Sequence, residues 1–425
     1  MPFRAYSPET RTLLGAQLVF NLGFYAVVPF MAGAMRSDFG WGAAAIGLVL
    51  GARTFSQQGM FLFGGMLADR WGARRSILAG CLVRIGGYGT LLAASDLPLF
   101  LLGAVLTGVG GALFSPALQA RLAVADRTTE VNPKRNSVFV WLAITGEAGA
   151  VLGPLLGTAL LGWGFDAALA AGIGIFAVIT VLLWWRLPPD KTHGDGAAGR
   201  SPASLRPAGG CLRDRRFLAF CLLASVNLLA YNQLYFAVPV ELDRRGLGQA
   251  WMGGLFLLAS VLTLALQLPV AAASRRIGPG PTLSAGFALL AVAFAVAAAT
   301  SVDPEGPPST SFAPIAAVVA FLVLGHMAIT PMILALVPDY FPRGLSAGLG
   351  AGYGLVATSG GVAVLAGNMV LGRLVDATER HQWWPGTPWV PLVMVALMSA
   401  LALPRVLPAQ PAAKASLPAG TTTAT

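Results

Sequence analysis

The chain has 425 residues, 56% of them hydrophobic and 11% charged, with a mean hydropathy of +0.71. Soluble domains carry about 25% charged residues, so a water-exposed surface is excluded and lipid must cover most of this protein. A net charge of +10 would suit a nucleic-acid binder only if the basic residues clustered on one surface in water, and their distribution along the chain excludes that.

About 20 apolar residues are needed for a helix to cross a bilayer. The apolar runs predict an all-α membrane protein with twelve spans, at 13–35, 43–66, 76–95, 97–120, 137–162, 165–186, 217–240, 250–272, 281–301, 312–337, 345–371 and 387–408. The first run is too long for a cleaved secretory signal, no small-residue site closes it, and Asn21 and Tyr25 interrupt it. Residues 187–216 are polar and rich in Pro, Gly and Arg, which predicts a linker between a six-helix half at 1–186 and a second at 217–408. The Ala/Pro/Thr-rich segment 409–425 is expected to be disordered. Of the 28 Lys and Arg residues, 21 fall on the side of the termini and five (Arg36, Arg244, Arg245, Arg373 and Arg380) on the other, with Arg53 and Arg84 inside spans. That asymmetry predicts a multi-pass cell-membrane protein with both termini cytoplasmic. Cys81, Cys211 and Cys221 show neither a disulfide framework nor zinc spacing.

The halves repeat each other. Gly40, Gly42, Ala44 and Gly47 recur 206 positions later as Gly246, Gly248, Ala250 and Gly253, and Arg70 and Gly72 recur as Arg276 and Gly278. At an offset of 210, Tyr25 and Pro29 match Tyr235 and Pro239, and Gly157, Gly162 and Asp166 match Gly367, Gly372 and Asp376. Two six-span halves in parallel repeat suit a transporter that rocks about a site between them.

Two motifs carry a family resemblance. After the second span stand Gly65, Leu67, Asp69, Arg70, Gly72, Arg74 and Arg75. Glycine permits a tight turn, the basic residues favour the cytoplasmic side, and Asp69 suits a helix N-terminus or an arginine partner. In the fifth span, Gly149, Gly153, Pro154 and Gly157 make a small-residue packing face with a bend. The first motif is similar to the loop signature of major facilitator superfamily (MFS) transporters, the second to the span-five signature of their antiporters. Stretches 51–59, 63–65, 68–70, 108–111 and 148–151 resemble the multidrug-resistance members of the MdtH type. The resemblance implies the MFS fold of two pseudo-symmetric six-helix halves, and it implies that Gly65, Asp69, Arg70, Gly72 and Arg74 latch a cytoplasmic gate. The alternative for that loop is a purely topogenic role. Antiporters of the family usually carry an arginine in span four, four residues before a glycine; here that position is Ala104, before Gly108.

Ionisable groups at mid-bilayer cost about 2.5–3.5 kcal/mol on insertion scales and are functional candidates by default. Glu147 in the fifth span and His326 in the tenth are the proton-coupling candidates, and Arg53 and Arg84 are buried charges. Glu147 would carry a proton or bind a cationic substrate; alternatively it pairs with Arg53 or Arg84. His326 would couple protons or simply bond a neighbour. The family's first and seventh spans line its cavity, and here each carries a polar stripe: Gln17, Asn21 and Tyr25, and Asn227, Tyr231 and Tyr235 with Asn232 alongside. These would line a substrate cavity or glue helices together. No Walker loop, metal-ligand cluster or nucleophile elbow is present, so neither an enzyme nor a cofactor is expected. The expected partners are the lipid bilayer, a small-molecule substrate and protons, not nucleic acid, and the fold works as a monomer. The expected function is export of drugs or amphipathic metabolites by proton antiport. Import or facilitated passage of a small polar solute, or a non-transporting sensor or scaffold, are the alternatives.

Overall fold

The computed structural model describes residues 6–128, 138–189, 214–301, 312–340 and 349–408. Among them every regular element is helical, and the helices group into twelve rods. The first rod is broken: Pro8–Tyr25, a turn of 3-10 helix at Val28–Phe30, then Met31–Ser37. The second comprises Ala43–Gln58 and Phe61–Trp71. Ala73–Leu92, Leu97–Thr128, Val138–Leu160 and Phe165–Arg186 form the third to sixth. The seventh, broken like the first, joins Arg215–Asn232 to Ala237–Arg244. Trp251–Ile277, Pro279–Thr300, Ala313–Leu336, Leu349–His381 and Val390–Val406 complete the set.

Ten of these rods are long and apolar enough to cross a membrane. The second is interrupted between Gln58 and Phe61, and the third carries Arg74, Arg75 and Arg84. Both nonetheless take their places in the bundle, the third against the fourth and the second against the fourth and eleventh. The eleventh rod runs ten residues past its predicted end at 371, to His381. Its two carboxylates there, Asp376 and Glu379, are satisfied by neighbouring helices, so they do not end it. Local signals set several helix starts. Ser7 accepts a hydrogen bond from the Thr10 N–H (3.1 Å) with Pro8 behind it, and Asp214 accepts from Arg216 (2.8 Å) and Phe217 (3.2 Å). Most of the predicted linker and the 409–425 tail lie outside the described residues.

The repeat read from the sequence is physical. Gly72 (φ 92°) and Gly278 (φ 84°) turn the chain after the second and eighth spans, and Gly40 (φ 66°) and Gly246 (φ 72°) precede those spans. Each pair occupies the left-handed region that side chains resist. Packing repeats as well. The first span lies on the fifth and sixth as the seventh lies on the eleventh and twelfth, and the third lies on the fourth and sixth as the ninth lies on the tenth and twelfth. The halves meet along two seams, second against eleventh and fifth against eighth. We call the membrane side carrying the termini the termini end, and the opposite side the far end.

Candidate substrate and coupling site

The first and seventh spans break at equivalent places, beside Tyr25 and Tyr235 and a few residues before Pro29 and Pro239. Proline supplies no N–H and disrupts the turn preceding it, so each span is loosened where it faces the other half. The Tyr25 and Tyr235 rings both rest against Phe256 of the eighth span, at 5.8 Å and 5.4 Å between centroids. The two tyrosines, one from each half, thus converge on one ring. One turn earlier, Tyr231 stacks on His326 at 4.0 Å.

His326 is held on its own side of the molecule. Its Nδ1 lies 3.1 Å from Asn227 Oδ1, Asn227 Nδ2 donates to Thr330 Oγ1 (3.0 Å), and that hydroxyl is 3.3 Å from either ring nitrogen. These bonds form a polar network within the second half.

Glu147 is half-buried on the fifth span. The residue before it is pinned: Asn21 Nδ2 donates to the Gly146 carbonyl (3.0 Å), and Gln17 Nε2 donates to Asn21 Oδ1 (3.0 Å). Gln17 and Asn21 therefore act as glue that fixes the fifth span to the first beside Glu147. Asn232 departs further from the cavity expectation. Buried between the halves, it donates to Thr54 Oγ1 (3.1 Å) and accepts from Asn368 (2.9 Å).

The expected pairing of Glu147 with Arg53 or Arg84 is not formed. Arg53 donates to Gln57 (2.9 Å) and lies over the Phe24 ring at 4.7 Å. Arg84, fully buried, donates to the Thr107 carbonyl (2.9 Å) and sits among the rings of Phe20, Phe24 and Phe176 at 4.3, 5.3 and 5.4 Å. A planar guanidinium suits such faces, so aromatic rings and one carbonyl take the place of a carboxylate. Arg84 Nε and Nη1 make no hydrogen bond in the described structure. Arg84→Met, apolar and similar in length, is expected to raise stability, by on the order of 1–4 kcal/mol on the scale of buried ionic groups replaced by apolar ones. A thermal-unfolding series in detergent checks this, and a lower midpoint would mean that the three rings compensate the charge in full.

The fifth-span motif is a two-sided spine. A Cβ at Gly149 would lie 2.5 Å from the Leu18 carbonyl, and one at Gly153 would lie 2.5 Å from the Tyr25 Cβ. Gly157 closes on Phe30 and the Ala26 carbonyl in the same way. Three glycines on one face thus bring the fifth span to backbone contact with the first. The other face, at Pro154 and Thr158, receives Gly253 of the eighth span.

In the loop motif, Arg74 donates to the Trp184 carbonyl (2.7 Å) and lies over that residue's ring. It therefore ties the loop to the sixth span of its own half. Arg70 is exposed, Gly65 faces Pro116, and the Asp69 side chain lies outside the described residues.

Some contacts at the far end have no counterpart in the sequence reading, which treats Arg36, Arg244 and Arg245 as loop charges. Arg244 and Arg245 are buried; Arg245 pairs with Glu241 (3.1 Å), and Arg244 and Arg36 share Glu379 (3.0 and 3.5 Å). The sequence signals in this region are the repeats relating Gly40 and Gly42 to Gly246 and Gly248, and Gly162 and Asp166 to Gly372 and Asp376.

Comparison with known proteins places this architecture. The sequence matches the Major Facilitator Superfamily over residues 13–352. It is 31% identical over 412 residues to an uncharacterised MFS-type transporter of Mycobacterium tuberculosis, covering 95% of this chain and 94% of that protein. It is 29% identical over 397 residues to the multidrug resistance protein MdtH of Shigella sonnei, covering 92% of each. Among solved structures, the fold is similar to a peptide transporter POT in complex with sulfate (TM-score 0.73, 16% identity, 96% of each chain). It is also similar to a variant of the nucleoside transporter NupG (TM-score 0.78, 13% identity, 93% of this chain and 99% of that one).

Proposed function

This chain belongs to the Major Facilitator Superfamily, a transporter and not an enzyme, and we propose that it exports drugs or amphipathic metabolites in exchange for protons by rocking its two halves about the Tyr25–Tyr235 centre. The observation that carries the proposal is Glu147: a half-buried carboxyl on the fifth span, next to the Gly146 that Asn21 of the first span holds, with no ionic partner among the described residues. A carboxylate without a cationic neighbour in a membrane interior is poised to take a proton or a cationic ligand. Tyr25, Tyr231, Tyr235 and Phe256 supply stacking faces for an amphipathic ligand. The fifth-span glycine spine and the likeness to MdtH support export. Ala104, where antiporters usually keep an arginine, favours the second reading, an importer or facilitator of a small polar solute.

The Lys/Arg asymmetry supports cytoplasmic termini, which makes the far end the outer face. The described ion pair and helix cap between the halves lie at that end (Arg36 with Glu379, Asp376 with Ala43 and Ala44), so we assign this structure to the state closed to the outside. Everted vesicles carrying a respiratory proton gradient test the function. Addition of lipophilic drugs is expected to evoke a protein-dependent proton leak. Silence across a broad panel, with uptake of a labelled polar solute instead, would establish the importer.

A further inference from the structure

One turn of the eleventh span carries two carboxylates that hold different parts of the molecule at the far end. Asp376 accepts hydrogen bonds from the backbone N–H groups of Ala43 (2.8 Å) and Ala44 (3.0 Å). These are the first two donors of the second span, whose own N-cap residue, Gly42, has no side chain to offer them. A carboxylate of one half thus caps a helix of the other, with its negative charge at the positive end of that helix's dipole. Three residues on, Glu379 holds Arg36 from the first span and Arg244 from the seventh.

The surroundings are shaped for this contact. A Cβ at Gly42 would stand 3.1 Å from both Asp376 oxygens, and one at Gly372 would stand 2.7 Å from the Ala44 Cα. Gly47 similarly abuts the Asn368 carbonyl. The seam closes backbone to backbone, which side chains at those positions would prevent. Opening it would cost little at Asp376. Asp376 is only half-buried, so water can satisfy both the carboxylate and the freed N–H groups when the halves part, and neither is stranded in an apolar core. The repeat equivalent, Asp166, is exposed, and no bond from it to the eighth span is among the described contacts. The fifth–eighth seam instead closes by packing of Gly253 on Thr158 and Pro154.

We propose that Asp376 is the positioning residue that clasps the far end shut, so that its two bonds to the second span set the balance between the two access states. The proposal rests on the transporter reading, because only a protein that alternates has a balance to set.

Double electron–electron resonance between nitroxides at Ser95→Cys and Trp383→Cys, in a background lacking the native cysteines, measures far-end separation between the halves. Wild type is expected to show mainly the short distance. Asp376→Ala should raise the ratio of open to closed populations by roughly tenfold, and Asp376→Asn by less. Asp166→Asn should change nothing. Ala43→Pro provides an independent arm: it deletes one N–H donor while suiting a first helical position after the extended Gly42 (φ −68°, ψ 165°), and it should shift the ratio in the same direction as Asp376→Ala. Unchanged distances in a folded Asp376→Ala protein, or in Ala43→Pro if that variant alone folds, would overturn the clasp. Failure of the transporter reading shows differently: wild type would move no solute, and its far-end distances would stay fixed under every solute and proton gradient tried.

Discussion

Replacing Glu147 by glutamine is expected to bring proton-coupled flux to background, a fall of about a hundredfold or more on the scale of a positioned proton-transfer group. The amide preserves size but cannot gain or lose a proton. Because Glu147 has no ionic partner among the described residues, the substitution strands no buried arginine, and the protein should fold with an unchanged thermal midpoint. Substrate–substrate exchange in proteoliposomes without a gradient should survive, since the tyrosine-lined centre is intact. Glu147→Asp, which keeps the carboxyl on a shorter stem, should retain part of the coupled flux. If the glutamine variant loses only cationic substrates and still couples neutral ones to protons, Glu147 binds substrate and the proton travels elsewhere. Full coupled activity in that variant would remove both roles.

The second large effect is expected from Gly153. A methyl group there must occupy space 2.5 Å from the Tyr25 Cβ, 2.9 Å from the Leu22 carbonyl and 3.1 Å from the Ala26 nitrogen. None of these belongs to a flexible side-chain end, so the first and fifth spans must move apart. Gly153→Ala is expected to cost about 1–3 kcal/mol, the range for overpacking, and to reduce transport by shifting Tyr25 away from Tyr235 and Phe256. Gly153→Leu should not assemble. Gly174→Ala, where nothing lies within 4 Å of the added carbon, is the matched control and should be neutral. Thermal midpoints paired with flux measurements separate the two consequences. A Gly153→Leu protein that folds and transports normally would show that close approach of these helices is dispensable.

The two substitutions differ in how far the sequence alone could support them. Glu147 stands out in the sequence because a carboxylate in a long apolar run is costly wherever its side chain points. The glycine motif is equally legible as a pattern, yet its partner is not. Small residues four apart announce close packing without saying against what, and only the folded chain shows the first span on one face and the eighth on the other. The polar stripes were legible by helical spacing, but spacing cannot tell a cavity wall from a seam. Tyr25 and Tyr235 meet at the centre, whereas Asn232 is buried on Thr54 and Asn368.

Composition and order along the chain thus determined the class of protein, the number of helices, the division into halves and the repeat between them. These follow from local physics: apolar length against bilayer thickness, glycine where φ is positive, and basic residues on one side. Pairing was decided by tertiary structure. Arg53 and Arg84 found aromatic rings rather than Glu147, Arg74 found the sixth span, and Asp376 found the open N-terminus of a helix more than 330 positions away in the chain. A charge inside a membrane must be satisfied by whatever the packing brings within about 3–4 Å, and that neighbourhood is set by how twelve helices stack, which no local pattern encodes.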